Sequence, residues 1–239
     1  MIKYFYNERF QDIDFAVIAI LTWLVPLFVG LLFRRFQSRK HRAIIAFAGF
    51  SFLMEHVSTD HDLNHLFSPD TNSPWYHLGV PVLFFLLTRF YRVYLRGSAG
   101  YYLEWVLPVV FSLLVVGLAI YDDGFYKFPS IPVGIYSLTG MILSGGYFIY
   151  LLRSLAVKRL ELDPLFWVST GFLLYYSGNF LLWLGLNLLT YDRNFFDSIY
   201  RINGVLTIIL NGLFVLALLV GKSPKLANAS TAQLNLRQS

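Results

Sequence analysis

Residues 165–190 read LFWVSTGFLLYYSGNFLLWLGLNLLT and carry no charged side chain. At 1.5 Å rise per residue, roughly 20 apolar residues cross a hydrocarbon core about 30 Å thick, so this run is long enough to span a bilayer with some tilt. Its polar members are Ser169, Thr170, Gly171, Ser177, Gly178 and Asn179. These are small or amide residues, which let helices approach closely and hydrogen-bond to one another away from water. One such helix needs partners, and the rest of the chain supplies them.

Of the 239 residues, 56% are hydrophobic and only 14% charged, against about 25% charged in an average soluble domain. The expected fold class is therefore all-α: a polytopic integral membrane bundle of seven transmembrane helices. The spans are read at about 15–33, 43–57, 74–95, 102–120, 132–152, 165–190 and 202–220, making residues 1–220 the membrane domain and 221–239 a cytoplasmic polar tail. The first run follows a polar, mixed-charge segment and ends in Arg34 and Arg35, unlike a cleavable signal peptide, so it is read as a retained helix. Pro74 suits a first helical turn, and Pro81 is expected to bend the third helix. The fifth span offers a small-residue face of Ser137, Gly140, Ser144 and Gly145, with Gly134 and Gly146 nearby. Between the sixth and seventh spans, YDRNFFDS is read as an outer turn.

The absence of cysteine excludes a disulfide framework, a thiolate metal ligand and a cysteine nucleophile. The net charge of +5 does not point to nucleic acid, because the basic residues sit at the ends of apolar runs. With the stretch RRFQSRKHR placed inside, 14 of the 19 Lys and Arg residues fall on the inner side. Basic short loops stay cytoplasmic, so the expected topology is N-out/C-in.

Four of the five histidines fall between His56 and His77, among the acids Glu55, Asp60 and Asp62. If 61–65 is helical, His61 and His65 share a face, and with His77 and Asp60 or Asp62 they match the donor set of a zinc site with one open position. A solvated polar loop explains the same residues. His77 lies inside the third helix, where it lines a pocket or bonds a backbone carbonyl. Glu104 lies near the inner arginines, where snorkelling or local pairing explains it about as well as a functional role would.

The seventh span carries Asn203, Gly204, Thr207, Asn211 and Gly212 on one stripe facing Ser177 and Asn179. That stripe is either the floor of a small-ligand site, completed by Tyr76 and His77, or glue between helices. It holds no ionisable group, which speaks against proton pumping along it. No lysine precedes Lys222 in this span, so a retinal Schiff base has no place to form. Seven-helix zinc hydrolases of the ceramidase and adiponectin-receptor type place an HxxxH in a late helix, whereas here the one HxxxH is His61 to His65.

Tyr76 with His77, then Phe166, Trp167, Gly171, Tyr175, Ser177 and Gly178, then Asn203, together resemble a group of small, largely uncharacterised seven-helix membrane proteins of Bacteroidetes-type bacteria. Members are often encoded near or fused to sensor histidine kinases. The likeness implies a multi-pass protein of the bacterial inner membrane. The family pattern has an acid about one and a half turns after the histidine, where this chain has Leu83.

The chain has short inner loops, so it is not itself a kinase. The expected function is a sensor-like or accessory module that couples an outer-half pocket, or the state of the membrane, to a separate cytoplasmic partner such as a histidine kinase. A metal-dependent membrane hydrolase using the outer His/Asp cluster is the alternative, and a structural subunit of a membrane complex is the second. The expected partners are the lipid bilayer and a second copy of the chain, with no nucleic acid.

Overall fold

The computed structural model describes residues 17–32, 39–59, 71–92, 98–121, 124–154, 160–188 and 193–220. These residues form seven helices and no strand. The first, α1, covers Val17–Leu32 with a turn at Trp23. Then follow α2 Arg39–Thr59, α3 Ser73–Tyr91, α4 at 98–121, α5 Ser130–Ser154, α6 Pro164–Leu188 and α7 Arg193–Val220. Three contain segments long and apolar enough to cross a membrane: Tyr102–Tyr121 of α4, Ser130–Arg153 of α5 and Arg201–Val220 of α7.

Each apolar run of the sequence meets one helix, but the ends shift. The segment YDRNFFDS, read as an outer turn, is helical from Arg193 onward, so α7 starts nine residues before the expected 202. Charge in its opening turns hides those turns from hydropathy, although nothing in their backbone opposes a helix. Similarly α2 begins at Arg39, within the basic stretch read as a loop. α3 stays helical through Pro81.

Neighbouring helices pack in the order α1, α2, α3, α5, α6, α7, and α7 returns to α1, closing a ring; α4 packs chiefly against α3. Five rings meet inside, Trp23, Phe47, Phe90, Phe172 and Phe214, each at most 3% exposed. Phe47 and Phe172 meet edge-on at 5.1 Å, and Phe172 and Phe214 at 5.5 Å. Such contacts match the positive edge of one ring to the negative face of another.

The α6–α7 seam depends on glycine. A Cβ at Gly171 would lie 2.8 Å from Leu210 Cδ1, and one at Gly178 would collide with Leu206. On α5 the expected small face is only partly used. Ser137 and Ser144 are buried and Gly140 lies under the Tyr176 ring, whereas Gly134 and Gly145 have open space where a Cβ would be.

After an α turn at Ser98–Tyr101, α4 widens into a π turn over Tyr102–Val106, where the Leu107 N–H bonds to the Tyr102 carbonyl, five residues back. Pro108 explains it: proline has no N–H to give the Glu104 carbonyl and its ring would crowd that carbonyl, which a wider turn relieves. The turn presses Glu104, 1% exposed, against α3, where Arg92 and Arg89 pair with its two oxygens. Of the readings open for Glu104, local pairing is therefore present.

Candidate functional site

A cavity of about 50 Å³ opens between α1, α2, α3, α5 and α6, lined by Trp23, Phe47, Ser51, Met54, Glu55, Tyr76, Val80, Leu83, Tyr136 and Tyr175. That is a few times the space one water requires. The helical repeat explains the α2 contribution. Phe47, Ser51 and Glu55 lie four residues apart, on one face and one turn above another. Phe47 and Trp23 belong to the aromatic cluster, which floors the cavity, and Glu55 lies one turn from the end of α2. Gly79 of α3 makes room for Met54, since a Cβ there would overlap it.

Among the described residues, the Glu55 carboxylate has no ion pair and no hydrogen bond. The Tyr175 ring lines the same cavity from α6. From there polar side chains follow the α3–α5–α6 seam. The Tyr136 and Tyr176 hydroxyls are 2.5 Å apart. The Tyr91 hydroxyl lies 2.8 Å from Ser144 Oγ and 3.3 Å from Ser169 Oγ, and Ser144 donates to the Gly140 carbonyl at 2.7 Å. At the far end Tyr147 donates to Asp163 Oδ2 at 2.6 Å, while Asp163 Oδ1 accepts the Leu165 N–H at 3.0 Å and so caps α6. Pro164 occupies the position after that cap, where its missing N–H costs nothing.

Of the expected pocket residues, Tyr76 lines the cavity. His77 faces elsewhere. Its Nε2–H donates to the carbonyls of Gly124 and Lys127 at 3.0 and 3.1 Å, and its ring stacks on Phe125, so it fastens the 124–127 turn to α3. Helical geometry accounts for the divergence, since adjacent residues lie about 100° apart around the axis. Asn179, 3% exposed, donates to the Tyr175 carbonyl at 3.0 Å, Thr207 donates to the Asn203 carbonyl at 2.9 Å, and Ser177 donates to the Leu174 carbonyl at 3.1 Å. Asn211 donates to Thr22 Oγ1 at 2.9 Å, tying α7 to α1. The polar stripe of α7 therefore lies outside the cavity lining: Asn211 joins α7 to α1, whereas the Thr207, Asn179 and Ser177 bonds stay within their own helices.

Asp60, His61, Asp62 and His65 lie outside the described residues. Among the described residues no three His, Asp or Glu side chains come together in a manner that would hold a metal ion. Sequence reasoning noted Glu55 only as one acid of the outer cluster. The signal for its role was the four-residue spacing Phe47, Ser51, Glu55, which aims it inward. Comparisons with family models, curated proteins and solved structures find no match to this chain.

Proposed function

We propose that the protein is a multi-pass bundle of the bacterial inner membrane, with seven spans, N-out/C-in, acting as a sensor-like or accessory module. Occupancy of the cavity, or a change in the surrounding lipid, shifts the helices, and a separate cytoplasmic partner responds at the basic inner face. The apolar exposure of α4 supports the membrane part, with Leu113 67% and Ile120 74% exposed. In water such side chains would cost about 25 cal/mol per Å² of apolar surface, whereas lipid accepts them.

One observation carries the coupling: the cavity sits where five helices meet, and separate buried hydroxyl contacts recur along α5 and α6 from its Tyr136 to Tyr147 and Asp163 at their opposite end. A ligand can shift such a bundle only by binding its two arrangements unequally, and a site shared among several helices gives it that leverage.

The test needs no known ligand. A lone cysteine is placed by Ser154→Cys in the otherwise cysteine-free protein, and its rate of labelling by a thiol reagent is measured. Filling the cavity by adding Ser51→Trp should change that rate severalfold relative to Ser154→Cys alone. Equal labelling rates in two properly folded variants would remove the coupling and leave a structural subunit.

A further inference from the structure

The wall around Glu55 has an unusual composition. It presents five aromatic rings, Trp23, Phe47, Tyr76, Tyr136 and Tyr175, one carboxylate and no lysine or arginine. Glu55 lies within the α2 span proposed above, where a carboxylate without a counter-charge is costly. The nearest lysine or arginine on its own helix, Arg42, is more than three turns away, and the adjacent His56 stacks on Phe52, which is not part of the wall. Among the described residues no lysine or arginine is placed to neutralise Glu55 when it is ionised.

The donor set narrows the choice. Calcium and magnesium require six or more oxygens at short distances. Here one carboxylate stands with the hydroxyls of Ser51, Tyr76, Tyr136 and Tyr175, and the Tyr136 hydroxyl is taken by Tyr176. Aromatic faces, by contrast, attract ammonium groups through their negative quadrupoles, more strongly once water is excluded. The volume of about 50 Å³ suits a compact head group and excludes drug-sized molecules. The Trp23 indole N–H, buried without an acceptor, adds an unfilled donor on the same wall for an oxygen carried by the ligand or a water.

We propose that this cavity binds the head of a small organic ammonium ion, with Glu55 holding its charge and the rings of Trp23, Tyr76 and Tyr175 holding its N–CH groups. This rests on the proposed pocket and names the ligand class it takes.

The experiment is ligand-observed NMR on the full chain in nanodiscs, with methylammonium as probe and methanol as its neutral counterpart of similar size. Saturable methylammonium binding is expected, with methanol unable to displace it. Glu55→Gln should weaken it about tenfold or more, equal to about 1.4 kcal/mol. Tyr175→Phe, which keeps the ring, should change it far less than Tyr175→Leu. Absence of methylammonium binding, equal displacement by methanol, or undiminished binding to Glu55→Gln would each overturn the proposal. Should Glu55→Gln fail to fold, the methanol competition and the Tyr175 pair still decide on an intact Glu55. If methylammonium fails while Ser51→Trp still alters labelling at position 154, the ammonium assignment falls and the sensor proposal stands. If both fail, both fall.

Discussion

At the residue scale, adjacent positions have parted company. Tyr76 and His77 were expected to share a pocket, yet one lines the cavity and the other holds a turn with its Nε2–H. Replacing His77 with Leu removes the donor that the ring gives to the Gly124 and Lys127 carbonyls, so amide exchange over 124–127 should quicken while the cavity is unchanged. Unaltered exchange there would show that the turn is held by other contacts. Tyr136 and Tyr176 pair through their hydroxyls. Tyr176→Phe should cost about 1 kcal/mol in a reversible unfolding assay, the usual net worth of one such hydrogen bond. A neutral result would mean that Tyr136 finds another partner.

At the element scale, the apolar runs of the sequence were legible because burial in helices of this length requires almost nothing but apolar side chains. Helix ends were less legible, because charged first turns such as those of α7 carry no hydropathy signal. The small faces were legible in part. Gly171 and Gly178 do admit α7, but Gly145 of α5 faces open space, and composition alone cannot say which side of a helix has a neighbour. Gly178→Val should therefore destabilise by about 1–3 kcal/mol through overpacking against Leu206. Gly145→Val should stay near neutral, and equal losses at the two positions would contradict the packing. The π turn was not foreseen at all, although Pro108 four residues after Glu104 was its visible cause.

At the scale of the whole molecule, the candidate site was the least legible feature, because it assembles from residues on five helices whose order around the ring no span count reveals. The proposed threading through the membrane rests instead on the uneven basic charge of the loops. The lack of native cysteine makes it directly testable. In intact cells a membrane-impermeant thiol reagent should label Ser130→Cys and reach Ser223→Cys only after permeabilisation. The opposite pattern would invert the bundle, and labelling of both from outside would change the number of spans.

The bond from Asn211 to Thr22 joins residues 189 positions apart and closes the ring of helices. Because α1 precedes α7 in the chain, Thr22 gains that partner only after the five helices between them have been made. Until then Trp23 lacks the Phe214 ring that packs on it. Every residue that lines the cavity precedes α7, yet its Trp23 floor is backed by Phe214, so a chain stopped before α7 would carry the whole lining without the helix that supports its floor.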